Sequence, residues 1–213
     1  MQESIKKKYG LRLIVDASQE AGHREINLGG ASFDAFIAPA HKGLMGVMGL
    51  GFCIFGTTTD KTLIEGGSGS ESRSANMPQS LPEKHEAGTV ALPAIAALKE
   101  SITFIDRIGV KNIGDRIDYL TDLLSLELSN IGTIKEYGHD NGVLSFNIQG
   151  KPCEYVASEL DKMGFCVRSG LHCAPLAHKS IGTLECGTVR LSLSYFNNEK
   201  EIRKLIKALR TII

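Results

Sequence analysis

Residues 11–19, Leu-Arg-Leu-Ile-Val-Asp-Ala-Ser-Gln, decide how the rest of the chain is read. An apolar run, interrupted once by Arg12, ends on the carboxylate of Asp16. A short run of this kind predicts a buried parallel strand of an α/β protein over Leu11–Asp16. Ligands of open α/β sheets gather at the carboxyl ends of strands. Asp16 and the residues just after it therefore stand where chemistry is expected.

Working outward, Ile5–Tyr9 predicts the end of a helix closed by Gly10, with Lys6-Lys7-Lys8 as a solvated helix face. Two further strands are predicted over Phe33–Ala38 (FDAFIA) and Leu50–Phe55 (LGFCIF). Residues 56–88 are rich in Gly, Ser, Thr and Asn and contain Pro78 and Pro82, the composition of a long functional or disordered loop. A helical period follows from Val90 to Ile108. A second covers Val110–Ser129, with Ile113, Ile117, Leu120, Leu123 and Leu124 on one face. Beyond it come strands at Ile134–Tyr137 and Val143–Ile148 and a helix at Cys153–Met163. Strands at Phe165–Arg168 and Thr188–Ser194 and a closing helix at Glu199–Ile213 complete the pattern. The expected division is an α/β part over residues 1–108 and a small α+β domain over residues 109–213. The first part opens on a strand with no preceding βαβ unit, so an N-terminal portion of a larger domain is expected outside this sequence.

Composition narrows the function classes. The 213 residues suffice for a real core. Lys plus Arg and Asp plus Glu balance at 24 each, which gives no electrostatic case for nucleic acid or an anionic membrane surface. No apolar stretch reaches the roughly 20 residues of a membrane helix, and the N-terminus lacks a signal-peptide core. The five cysteines, Cys53, Cys153, Cys166, Cys173 and Cys186, form no C-x-x-C pair. That pattern predicts no metal site and free thiols in a reducing cytoplasm, leaving one thiol available for catalysis.

Three constellations carry candidate chemistry. In the first, Asp16 and Gln19 follow one strand, and His41-Lys42 follow the next. Neighbouring strand ends would present a carboxylate and an amine to one crevice. Spacing alone weighs toward an exposed Asp and a solvated Lys. The second is Arg168-Ser-Gly-Leu-His172-Cys173-Ala-Pro175, a Cys beside a His in a Gly-containing loop. Nearby positive charge favours the thiolate; a structural Cys with a hydrogen-bonded His is equally compatible. Third, Arg190 lies inside the apolar segment TVRLSLSY and calls for a carboxylate partner, from a side chain or a substrate.

Together these segments resemble the class V aminotransferase group, and within it the cysteine desulfurase-like proteins. The resemblance runs through VDASQ (Val15–Gln19), AHKGLMG (Ala40–Gly46), HEAGT (His85–Thr89), RSGLHCAP (Arg168–Pro175) and GTVRLSLSYFNNEKEI (Gly187–Ile202). Each string is weak alone, and five in order are specific. The resemblance implies the C-terminal part of a fold type I PLP-dependent transferase: the remainder of the PLP-binding large domain, then the small domain. It implies pyridoxal 5'-phosphate (PLP) as cofactor, Lys42 as the lysine that holds it and moves protons, and Asp16 against the pyridinium nitrogen. Gln19 would donate to the ring oxygen, His41 would contact the cofactor phosphate and count with Lys42 and Cys173 among the catalytic residues, and Thr89 would reach the phosphate of a neighbouring subunit's cofactor in a homodimer. Arg190, with Arg168, would bind the substrate carboxylate. Cys173 would take sulfur from L-cysteine as a persulfide, with release of alanine, and pass it to an acceptor, which a separate protein could be. Pro39 stands where the family often has a phosphate-binding Ser. The family's N-terminal half, with the ring-stacking aromatic residue, the first phosphate loop and a substrate-contacting Asn, is expected to precede this segment. The chain by itself is therefore expected to bind PLP weakly. Other readings are a selenocysteine lyase or another class V aminotransferase or lyase, and a non-catalytic fragment that assembles with a separate N-terminal half.

Overall fold

The computed structural model describes residues 6, 8–29, 33–57, 59, 61–71 and 73–213. Ile5 and Lys7, part of the helix end and lysine run expected at the start, lie outside the described residues. The chain divides into two compact units, residues 1–110 and 111–213.

Unit 1 is built on a three-stranded sheet in the order β1-β2-β3. Strand β1 (Ile14–Asp16) runs parallel to β2 (Ala35–Pro39), with Asp16 opposite Ile37. Strand β3 (Gly51–Phe55) returns antiparallel on the other side of β2. Small and aromatic residues make the core here: Ala17, Ala21, Phe33, Phe36 and Ala38 are buried, and Phe36 stacks on Phe52 with ring centroids 6.4 Å apart. The first strand departs from expectation. It is only three residues long, and Ile14 is 64% exposed because β1 is the sheet's edge. Upstream, the Leu13 amide donates to the Asp34 carboxylate at 2.7 Å. The same carboxylate pairs with Lys6 at 2.8 Å, so Lys6 is anchored and not simply solvated.

Among its described residues the long polar stretch contains one 3-10 turn, at Glu83–His85. It is organised by buried polar contacts. The Lys84 ammonium donates to the Thr59 carbonyl at 2.6 Å and to the Gln79 side chain at 3.3 Å. The His85 ring lies 4.6 Å from that of Phe55. Helix α1 (Leu92–Ile108) then carries Pro in its first turn, where a missing N–H costs nothing, and stops at Gly109 (φ 89°).

Unit 2 holds a four-stranded antiparallel sheet in the order β4-β5-β7-β6. Its strands are β4 (Ile134–Asp140), β5 (Val143–Ile148), β6 (Arg168–Gly170) and β7 (Thr188–Ser192). Helices α2 (Val110–Ser129), α3 (Cys153–Lys162), α4 (Pro175–Ser180) and α5 (Glu199–Ile212) complete it. Alternate residues of β5, Leu144, Phe146 and Ile148, share one apolar cluster with Leu120, Leu124 and Leu128 of α2, Val156 and Leu160 of α3, and Ile202, Leu205 and Leu209 of α5. The period-2 and period-3.6 patterns thus converge on a single core. One expectation needs correction, and one element was not foreseen. The strand expected at Phe165–Arg168 begins at Arg168, because Phe165 and Val167 pack against the core from the preceding turn. Helix α4 was hidden in a short Gly-flanked segment whose exposed Leu176 obscured any apolar face. Among the described residues, no helix is long and apolar enough to cross a membrane.

Candidate active site

In unit 1 the parallel pairing of β1 and β2 sets their carboxyl ends side by side. The Ala17 amide donates to Ile37 O at 2.9 Å, which fixes the chain as it leaves β1. Asp16 then heads a tight turn. The Ser18 amide donates to Asp16 Oδ1 at 2.9 Å, and the Ser18 hydroxyl donates to the same oxygen. These Ser18 bonds lower the Asp16 pKa below the usual carboxylate value, and the positive charge of Lys42 adds to the effect. The carboxylate is therefore held ionised within reach of the Lys42 field.

The loop that carries Lys42 is pinned to the turn after Asp16 by two glycines. A Cβ on Gly22 (φ 89°) would fall 2.2 Å from Gly43 O, and one on Gly43 would fall 2.4 Å from Ala21 O. Only bare backbone allows this approach. The Met45 amide donates to Lys42 O at 2.9 Å and the Gly46 amide to Ala40 O at 2.7 Å, which closes the loop. His41, Lys42 and Gln19 are exposed, and so is Thr89, just ahead of α1. An open groove of about 870 Å³ runs beside β2 and β3, lined by Ile37, Pro39, Phe52, Ile54 and His85 and reaching Ser18.

Unit 2 carries the other candidates. Cys173 follows β6 in a turn where His172 (φ 51°) and Cys173 (φ 61°) both take the left-handed conformation. That region is costly for residues with a Cβ and persists only where the surroundings enforce it. Arg168 Nη2 donates to Cys173 Sγ at 3.5 Å. In the ladder, Arg168 stands directly opposite Arg190. Like charges facing each other across strands are destabilising unless an anion lies near both. Burial lowers the Arg190 pKa, the Arg168 charge lowers it further, and Cys173 opposes the shift. Arg190 Nε is buried with no hydrogen-bond partner among the described residues. Two guanidinium groups and a thiol thus converge on one spot that calls for an acidic group. All five cysteines are free.

The sequence-predicted residues therefore fall into two groups. Asp16, Gln19, His41, Lys42 and Thr89 lie in unit 1, where the charge of Lys42 adds to the Ser18 bonds in lowering the Asp16 pKa. Arg168, Cys173 and Arg190 lie together in unit 2. Sequence reasoning missed Ser18, which fixes the Asp16 carboxylate, although a Ser two residues after an Asp is a recognisable turn signal. It also missed the facing of the two arginines, which depends on strand register.

The geometry can now be set beside known proteins. The family model for aminotransferase class-V matches residues 1–205. A probable cysteine desulfurase of Methanothermobacter thermautotrophicus is 37% identical over 95% of this chain and 53% of its own length. The apo structure of a cysteine desulfurase from Thermococcus onnurineus superposes with a TM-score of 0.83 at 29% identity, covering 99% of this chain and 55% of that one. The Escherichia coli cysteine desulfurase CsdA, at 21% identity and a TM-score of 0.87, shares the fold over 98% of this chain and 53% of its own. The chain spans between about a third and a half of the length of the curated relatives it matches. The α/β fold expected from the motifs is the fold of these structures, and the chain belongs to the class-V aminotransferase family.

Proposed function

We propose that this chain carries part of the active site of a PLP-dependent cysteine desulfurase. The single observation that bears most weight is Cys173 Sγ beside Arg168, with Arg190 directly opposite. A thiol in an exposed turn next to two cations has the chemistry of a sulfur acceptor, and the paired guanidinium groups have that of a carboxylate clamp.

The residues of unit 1 fit the cofactor. An ionised carboxylate at one strand end suits a protonated pyridine nitrogen, and an exposed amine at the next suits an aldehyde. Asp16 and Lys42 would hold PLP from these two sides, Gln19 would donate to the ring oxygen, and His41 would contact the group. Thr89 would reach the cofactor of a second subunit in a homodimer. Bound PLP supplies an electron sink for the substrate carbon. Lys42 would move the proton at that carbon, and Arg190 with Arg168 would orient the substrate carboxylate. The Cys173 thiolate forms an S–S bond to the sulfur of L-cysteine while the Cβ–S bond breaks. The released electron pair stays on carbon, which takes a proton and leaves as alanine. The persulfide remains on Cys173 for transfer to an acceptor, for which a separate protein is one form.

The test is peptide mass spectrometry of the full-length protein after incubation with L-cysteine and PLP. One extra sulfur on the Cys173 peptide, with alanine in equal amount, is expected. Alanine release that continues in Cys173→Ala with no sulfur on the wild-type peptide would refute the role.

A further inference from the structure

Beside Cys173 and along the segment that follows it is a set of half-buried and buried side chains with no part in the chemistry above. His172 Nε2 lies 3.1 Å from Thr188 O and 3.0 Å from Thr188 Oγ1. A carbonyl only accepts, so Nε2 carries the hydrogen and donates it to Thr188. The His172 ring centroid is 5.5 Å from that of His178. His178 is only 4% exposed, and its Nδ1 lies 2.7 Å from the hydroxyl of Thr183, itself 1% exposed. The Thr183 amide donates to His178 O at 2.9 Å and the Gly187 amide to Thr183 O at 2.8 Å. The segment from Cys173 to Thr188 is thus closed through two imidazoles, from the residue before the thiol to the strand that carries Arg190.

Burial lowers the pKa of His172, and the charges of Arg190 and Arg168 and the neighbouring His178 work in the same direction. A neutral imidazole with its proton on Nε2 leaves Nδ1 as a bare acceptor, and His172 Nδ1 is buried with no hydrogen-bond partner among the described residues. The left-handed backbone at His172 and Cys173 needs such an anchor, since nothing in two Cβ-bearing residues favours it.

We propose that His172 and His178, with Thr183 and Thr188, form a positioning network that locks the Cys173 turn and so holds the thiol against Arg168 and Arg190. The inference rests on the reading of Cys173 as the sulfur acceptor. Each histidine acts through the loop.

The test is the rate of iodoacetamide alkylation at neutral pH in the full-length protein, read site by site as Cys173 against Cys166, an exposed cysteine ahead of β6. His172→Leu and His178→Leu are expected to slow Cys173 by about fivefold or more while leaving Cys166 unchanged. His172→Gln restores a donor to Thr188 O, and His178→Asn restores a partner for Thr183; both are expected to keep most of the wild-type rate. An unchanged Cys173 rate in the Leu variants, or Gln and Asn variants as slow as Leu, overturns the proposal. If a Leu variant unfolds, which faster alkylation of the buried Cys153 reveals, the decision passes to Thr183→Val against Thr183→Ser. Slowing in Val alone supports the network, and equal rates overturn it. Persulfide formation on Cys173 is read separately, so failure of the functional reading remains distinguishable.

Discussion

The two arginines of unit 2 give the most direct consequence of single side chains. Arg168 and Arg190 face each other in the ladder, and Arg190 Nε has no partner among the described residues. Replacing Arg190 by Lys keeps the charge but loses the planar fork. It is expected to raise KM for cysteine by roughly tenfold or more with a smaller fall in kcat; an unchanged KM in steady-state assays would count against the clamp. The glycine pair gives a second consequence. A Cβ at Gly22 would meet Gly43 O at 2.2 Å, and Gly22 has φ 89°. Gly22→Ala is expected to destabilise unit 1 by about 2 kcal/mol or more in chemical denaturation and to weaken labelling of Lys42 by PLP. At this scale the sequence was informative where motif and residue coincide, as at Asp16, Lys42 and Cys173. It was silent where the meaning is a facing relation, as between Arg168 and Arg190, because register is set by the whole sheet and not by spacing along the chain.

Individual elements carry their own signals. Helix α5 begins at Asn198, whose side chain accepts from the Glu201 amide while Glu201 reaches back to the Asn198 amide. Asn198→Ala is expected to cost about 1 kcal/mol, read from the denaturation midpoint of unit 2. Strand β4 is tied to α2 by His139, whose ring nitrogens lie 2.6 Å from Glu136 and 3.3 Å from Asp122. Glu136 is the main cause of the raised His139 pKa, and Asp122 contributes. A raised folded-state pKa means the folded protein holds the proton more tightly than the unfolded chain. The resulting stabilisation is full below the ordinary histidine range and disappears as pH rises through the raised value. The difference in Tm between wild type and His139→Gln should therefore shrink on going from mildly acidic to alkaline buffer; a constant difference would contradict the link. The long helices α1, α2 and α5 were legible because a helical period ran unbroken over many residues. Short ones such as β6 and α4 were not, since three to six residues carry too little pattern to outvote tertiary packing.

The whole molecule consists of two units whose cores are built separately. Every residue of the large apolar cluster lies between Leu120 and Ile212, so unit 2 has its own complete core. A fragment of residues 111–213 is expected to be soluble and to melt cooperatively by circular dichroism; a featureless melt would contradict this division. Unit 1 is thinner, with a three-stranded sheet and an exposed edge at Ile14. Its claim to function rests on one juxtaposition, the carboxylate of Asp16 in the field of Lys42 where two parallel strands end. The decisive measurement is incubation of the full-length protein with PLP, reduction with borohydride, and peptide mapping by mass spectrometry. A phosphopyridoxyl group on Lys42, absent from Lys42→Ala and reduced in Asp16→Ala, is the predicted result. Labelling spread over other exposed lysines, with Lys42 no more reactive than they are, would contradict it.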